Sequence, residues 1–168
     1  MSRETMNISD LPPSQGRDPD NVTRRATIPV LQVLAFRLAG ERYALDIQEI
    51  IEILKYRPMT PIPQASDLIH GIVSVRGRII TVVDGRIRLG LEAAEIGPAS
   101  RIIVLRHGEE PVGLLVDEVL KVEKLPVDSI APPPSTLVDA AARGIAGVCD
   151  TRQESILILL DREAVLNV

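Results

Sequence analysis

The chain has 168 residues and a net charge of −4, which is enough for one domain with a hydrophobic core and a terminal tail. It contains one phenylalanine, two tyrosines and no tryptophan, so aromatic stacking surfaces are scarce, and its acidic balance disfavours nucleic-acid binding. A single cysteine excludes an internal disulfide, and two scattered histidines provide no pattern of metal ligands. The composition therefore predicts an aliphatic core, no metal, no cofactor and a reducing compartment.

The first 27 residues differ in composition from the rest. They consist largely of Ser, Asp, Asn, Gln, Arg and Pro, and such a segment buries too little apolar surface to offset the entropy lost on ordering. We expect residues 1–27 to form a disordered tail and residues 28–168 to form the domain. No apolar run approaches the ~20 residues that span a bilayer, so we expect a soluble protein without direct membrane insertion.

From residue 28 onward, ten short apolar runs separated by Gly, Pro and charged turns indicate an all-β fold. In chain order the runs are 30–38, 42–45, 52–56, 72–75, 79–83, 101–106, 112–116, 120–124, 144–149 and 155–160. Ten strands of this length suggest barrels or a sandwich.

Two segments depart from the strand pattern. Apolar residues at 47, 50, 51 and 54 follow Asp46 with helical spacing, which predicts a short helical turn over residues 47–50 between two strands. At the other end, Asp161 can cap a short helix over residues 162–167.

The segment 71–84 is the most informative one. Two β-branched runs meet at Arg76-Gly77, where Gly77 can take the positive φ that a tight hairpin needs, and Asp84 ends the second run as a turn former. The pattern predicts a hairpin that displays an arginine at its bend. A solvated turn residue without a partner is the alternative interpretation of Arg76.

Motifs along most of the chain resemble the CheW family of bacterial chemotaxis coupling proteins. The matching positions are Gly71, Val73, Arg76, Gly77, Ile79, Val82, Asp84, Arg86, Leu89 and Gly90, with Phe36, 43–46, Ile50, Glu52, Ile53, 113–117, Val119, Val122, 132–134, 144–147 and 156–161 on either side. The resemblance implies two intertwined five-stranded SH3-like barrels that share a hydrophobic core, with a short C-terminal helix.

The same resemblance implies a function and its partners. The protein is expected to be a cytoplasmic scaffold, recruited to receptor arrays, that couples a methyl-accepting chemoreceptor to the regulatory domain of a CheA-like histidine kinase. The family's receptor-binding surface maps onto Ile50, Glu52, Arg76 and Val122, with Glu52 and Arg76 facing each other across neighbouring strands. The kinase-binding surface is expected near Leu114, Val116 and Val119.

Three positions depart from the family pattern. Gly85 replaces the usual leucine after the aspartate, and Ser74 and Thr81 stand where asparagine and proline are common. We expect the loop after Asp84 to pack differently and the choice of partner to differ.

The sequence contains no arrangement of groups expected for an enzyme. It has no phosphate-binding glycine loop, no GxSxG turn and no HExxH pair, and neither histidine has a nucleophile or base beside it. Two alternatives to a chemotaxis adaptor remain open. One is a CheW-like adaptor of a non-motility pathway, and the other, from a different class, is a small β-barrel that binds an apolar ligand.

Overall fold

A computed structural model describes residues 29–137, 139–140, 143–151 and 155–167. The expected disordered tail over residues 1–27 lies outside this range. Within the described chain, no helix has the length and apolar character needed to span a membrane.

The described residues form eleven strands in two sheets. They are β1 Val30–Leu38, β2 Glu41–Asp46, β3 Ile50–Lys55, β4 Ile69–Val75, β5 Arg78–Asp84, β6 Arg101–Leu105, β7 Val112–Val116, β8 Glu118–Pro126, β9 Ile130–Ala131, β10 Ile145–Asp150 and β11 Ile156–Leu160. The first sheet has the order β8-β1-β2-β11-β10-β9, and the second has the order β3-β6-β7-β5-β4. Ten strands correspond to the predicted runs, and the two-residue β9 was not predicted.

The path of the chain explains why the two sheets are intertwined. It forms β1 and β2 of the first sheet, then the whole of the second sheet, and returns to complete the first sheet with β8 to β11. Most paired strands are antiparallel, including β1 with β8 and β3 with β6, which are distant along the chain. Two pairs, β11 with β2 and β5 with β7, are parallel. The predicted all-β fold with two barrel-like units is confirmed.

Three clusters of buried aliphatic side chains form the core. A central cluster joins the two sheets, with Phe36 and Leu45 from the first sheet against Ile103 and Leu114 from the second. A second cluster fills the inside of the second sheet, and a third fills the inside of the first. The predicted shared core is therefore the central cluster, which is continuous across the interface between the sheets.

Capped helical turns connect the strands. Residues Ile47–Glu49 form the predicted helical turn, with the Asp46 side chain accepting a hydrogen bond from the Gln48 N–H. Helix α1, Gly85–Arg88, was not predicted, and Asp84 caps it by accepting from the N–H groups of Arg86 and Ile87. Helix α2, Arg162–Leu166, is the predicted C-terminal helix, and Asp161 accepts from the Glu163 N–H.

Two charged side chains tie distant segments together. Arg86 on α1 binds Asp117 through both its Nε and Nη2 atoms, and an Asp117 oxygen also accepts from the Ala39 N–H at 2.8 Å. Arg42 on β2 is buried at 3% exposure and donates to Glu123 of β8 at 2.9 Å and to the Ser155 carbonyl at 2.8 Å. Arg42 also donates to the Thr151 hydroxyl, directly after β10, and because β8 and β10 lie towards opposite edges of the first sheet, Arg42 holds the open side of that barrel together.

Candidate functional site

The β4–β5 hairpin has a two-residue bend formed by Arg76 and Gly77. Val75 pairs with Arg78, and the two bend residues have φ values of +51° and +80°. Positive φ at both central positions is the type I′ geometry, which matches the right-handed twist of the flanking strands. The predicted hairpin is therefore present, and Arg76 occupies a backbone conformation that non-glycine residues rarely adopt.

The Arg76 side chain forms an ion pair with Glu52 of β3. Its Nη1 lies 2.7 Å from the Glu52 Oε2, and the side chains are 75% and 22% exposed, respectively. The hydrogen bond to Glu52, followed by the charge of that residue, raises the pKa of Arg76, so the guanidinium stays charged.

The position of this pair corrects one expectation. The two residues were expected on neighbouring strands, but β3 and β4 are the opposite edges of the second sheet. The sheet curls until its edges approach, and Thr60, in the segment that follows β3, forms an isolated bridge with Ile72 on β4. The ion pair therefore joins the two edges of the barrel at its rim.

Strand β3 presents apolar side chains beside this ion pair. Ile50 is partly buried against the central cluster. Ile53 pairs directly with Ile103, a member of that cluster, and residues directly opposite share one face of a sheet. Ile53 is nevertheless 42% exposed, and it lies on an edge strand, which has a neighbouring strand on one side only.

Ile53 was not among the predicted binding residues. The sequence does contain a signal that could have identified it. Isoleucines at 50, 51 and 53 make this segment more apolar than an edge strand with one face in solvent requires.

Strand β8 is the corresponding edge of the first sheet. Val122 pairs with Leu34, and Val119 pairs with Phe36, both partners being members of the central cluster. Val119 is partly buried, whereas Val122 is 48% exposed. Val122 thus lies in a different sheet from Glu52 and Arg76, and it shares with Ile50 and Ile53 a place on the central-cluster face of an edge strand.

Two of the residues predicted to bind a kinase are inside the protein. Leu114 and Val116 on β7 have exposures of 0% and 1%, and both belong to the central cluster. Their side chains cannot touch a partner unless the core opens. The prediction that they lie on a contact surface is therefore wrong. Of that predicted group, only Val119 is close enough to the surface to take part directly.

His70 has a polar neighbour on each side of its ring. His70 lies between the Tyr56 hydroxyl, 3.2 Å from its Nε2, and Asp84, whose Oδ2 is 3.8 Å from its Nδ1. The other Asp84 oxygen caps α1, so this carboxylate has a structural role. The part of the chain that the structure describes contains no cluster of three or more possible metal-ligating side chains.

One depression lies in the first barrel, between β8 and the end of β10. It has a volume of about 670 Å³, and its lining includes Arg42, Glu123, Ser129, Cys149 and Thr151. Arg42 is already engaged at its base by Glu123 and by the Ser155 carbonyl. The depression is therefore partly filled by a structural contact.

The chain is similar to known proteins over nearly the whole region that the structure describes. The CheW-like domain family matches residues 32–168. The chemotaxis protein CheW of Klebsiella aerogenes is 32% identical over 136 residues, covering 81% of each chain. The protein FrzA of Myxococcus xanthus is 32% identical over 143 residues, covering 84% of this chain and 89% of FrzA. The crystal structure of the scaffolding protein TtCheW from Thermoanaerobacter tengcongensis matches with a TM-score of 0.76 and 31% identity, covering 83% and 94% of the two chains.

Proposed function

Since the chain belongs to the CheW-like family, we propose that it couples a methyl-accepting chemoreceptor to the regulatory domain of a CheA-like histidine kinase. It is a non-catalytic scaffold adaptor of chemotaxis signalling. A scaffold of this kind transmits a signal by binding one arrangement of its partners more tightly than another.

The conformation of Arg76 is the observation that carries the proposal. A tight type I′ bend favours Asn or Gly at this position, and arginine is held there in the left-handed region. An exposed ion pair contributes little to folding, so the contact with Glu52 does not explain why an arginine is present. A partner that binds the guanidinium does explain it, and Glu52 then orients the arginine for that partner.

The receptor surface that we propose comprises Ile50, Glu52, Arg76 and Val122. Glu52 and Arg76 provide a charged pair on the rim of the second barrel, and Val122 provides an exposed apolar side chain on the edge of the first. Ile50 is partly buried, so we assign it the role of supporting the surface from below. We add Ile53, because its 42% exposure on an edge strand gives a partner apolar area to cover.

The kinase surface that we propose lies on β8 around Val119. Leu114 and Val116 contribute to it only through packing, since both lie in the central cluster against which Val119 also packs. We propose that the kinase's regulatory domain binds there, while the charged receptor contact at Arg76 and Glu52 lies on the second barrel, so that Arg76 can be changed while the kinase still binds.

We propose that the adaptor works in the cytoplasm, at receptor arrays, and that residues 28–168 form its binding domain. The match to residues 32–168 supports that boundary. An adaptor role in a non-motility pathway is the second candidate, because FrzA, which is not named as a chemotaxis protein, matches as well as a chemotaxis CheW does.

Binding of an apolar ligand inside a barrel has less support. The described residues fill the inside of each sheet with buried side chains, and in the second barrel a Cβ added at Gly113 would lie 2.7 Å from Ile102. A ligand would therefore have to displace core side chains.

Pairwise binding tests the proposal. The full chain, and its Arg76→Glu variant, would be titrated separately with the receptor's cytoplasmic fragment and with the kinase's regulatory domain, both from the source organism. We expect the variant to lose at least about tenfold in receptor affinity, because it places two carboxylates together, and to keep its kinase affinity. Equal receptor affinity in both chains would reject the receptor surface, and failure of the wild type to bind either partner would reject the adaptor role.

A further inference from the structure

Two cations lie directly opposite each other near one end of the β3–β6 ladder. Lys55 on β3 pairs with Arg101 on β6 in the antiparallel register. Like charges at directly opposite positions are unfavourable for folding. In the described parts of the chain, neither side chain has a carboxylate within ion-pair distance, and the hydrogen bonds of Arg101 go to the backbone carbonyls of Pro98 and Ser100. The pair is therefore an uncompensated positive site on a chain of net charge −4.

The surface at this point is concave. A depression of about 250 Å³ is lined by Lys55, Tyr56, Gly97, Pro98, Ser100 and Arg101. Its floor is the bend before β6, which is held by the Gly97 N–H donating to the Ser100 hydroxyl at 3.0 Å. A carboxylate entering the depression would be close to both cations and would remove their mutual repulsion.

The cation pair continues the apolar part of the proposed receptor surface. Ile53 and Lys55 lie two residues apart on β3, so their side chains point to the same face about 7 Å apart. Opposite them, Ile103 and Arg101 repeat the same order on β6. The face thus runs from buried apolar residues, through the exposed Ile53, to two cations at its end.

We propose that Lys55 and Arg101 bind an acidic side chain of the receptor, which lies next to the apolar residue that covers Ile53. The inference rests on the proposed function, since it assigns the acidic group to the same partner. The distance of about 7 Å specifies the spacing of the two receptor residues. The acidic residue should lie about two positions from the apolar residue in an extended segment, or about four positions from it in a helix.

The test uses the full chain and the receptor's cytoplasmic fragment from the source organism. Affinity would be measured at about 50 mM and about 300 mM NaCl for the wild type, Lys55→Glu, Lys55→Met and a control, Arg143→Glu. Arg143 is an exposed arginine in the turn before β10, and its substitution makes the same change of charge away from this face. The melting temperature of every variant would be measured alongside.

We expect Lys55→Glu to weaken receptor binding at least about tenfold at low salt, with the deficit shrinking at high salt. Its melting temperature should not fall, because an unfavourable cross-strand pair becomes a favourable one. Lys55→Met should weaken binding less, and Arg143→Glu should change it less than about twofold.

If the wild type binds the receptor and both Lys55 variants bind it with the same affinity, this inference is overturned and the adaptor role stays intact. An equal loss in Arg143→Glu would also overturn it, since the effect would then be one of net charge. Absence of receptor binding by the wild type would instead reject the proposed function, and the acidic contact with it.

Discussion

Arg76 at the tip of the β4–β5 hairpin and Glu52 on the far edge strand β3 form a 2.7 Å ion pair that joins the two edges of one sheet. The arginine is largely exposed, and its backbone is in a conformation that favours asparagine or glycine. Folding alone would therefore select a different residue at this position. Stability and receptor binding therefore favour different residues at position 76. Variants at the bend can measure the effect on each.

Arg76→Asn should keep or raise the melting temperature while weakening receptor binding at least about tenfold. Asparagine accepts positive φ more readily than arginine, so the bend is relieved, whereas the guanidinium offered to a partner is lost. Thermal denaturation and titration with the receptor's cytoplasmic fragment provide the two readouts.

The β1–β2 hairpin supplies a matched control for this variant. Ala39 and Gly40 there have φ values of +52° and +84°, the same bend geometry as Arg76 and Gly77. Ala39→Asn should raise the melting temperature by about 1 to 4 °C and leave receptor affinity unchanged. Our account of Arg76 would be wrong if Arg76→Asn bound the receptor as well as Ala39→Asn does.

Asp117 should make stability dependent on pH in the acid range. Burial raises the pKa of Asp117, but hydrogen bonds from Arg86 and the Ala39 N–H, with the charge of Arg86, outweigh burial and hold the pKa below its ordinary 3.8. Since the folded pKa is the lower one, this stabilisation is complete above the unfolded pKa and is lost as pH falls through the folded pKa.

Asp117→Asn should lower the free energy of unfolding by about 1 to 2 kcal/mol near neutral pH. The gap between variant and wild type should narrow once the pH falls below about 4, because the unfolded wild-type chain then takes up a proton at Asp117 before the folded chain does. Urea unfolding at several pH values measures the gap, and a constant gap down to about pH 3 would argue against a charged Asp117 as the stabilising group.

Glu123→Gln should destabilise the fold strongly. Its partner Arg42 is 3% exposed, and breaking a buried ion pair by removing one partner costs about 3 to 5 kcal/mol. Glu118→Gln on the same strand is the control, because Glu118 pairs with Arg37 at 3.5 Å on the surface and should cost less than about 1 kcal/mol. Similar costs for the two changes in urea unfolding would contradict the view that Arg42 holds the barrel closed.

Gly85→Ala should destabilise the protein, although alanine favours helix and residue 85 begins α1. A Cβ at this position would lie 2.5 Å from the Leu115 carbonyl oxygen, so α1 or β7 has to move at a cost of about 1 to 3 kcal/mol. Gly97→Ala, whose Cβ would meet nothing within 4 Å, should stay within about 0.5 kcal/mol of the wild type. A gain in melting temperature for Gly85→Ala would show that helix propensity outweighs the close approach.

The sequence predicted the elements whose signals are local. The hairpin at Arg76-Gly77 follows from one glycine between two β-branched runs, and the turn after Asp46 follows from a cap and apolar spacing. Strand β9 was missed because two residues carry no periodicity. Helix α1 was missed because Gly85 is a poor helix former, and its cap, Asp84, was interpreted only as a turn residue.

The candidate site was less predictable because it depends on contacts between distant parts of the chain. Glu52 and Arg76 are brought together by the curl of a sheet, and no local pattern shows that its two edges meet. The burial of Leu114 and Val116 could have been anticipated, since an uninterrupted apolar run is typical of a strand covered on both faces. The exposure of Ile53 requires knowing that β3 is an edge strand.

The most direct test of the adaptor role is bridging. The receptor's cytoplasmic fragment would be immobilised and the amount of kinase retained measured as the adaptor is added, with wild type beside Arg76→Glu. Our account predicts that kinase retention rises with wild-type adaptor and stays near background with the variant, while both adaptors still bind the kinase in solution. Retention that is independent of the adaptor, or equal with both adaptors, would contradict the central claim.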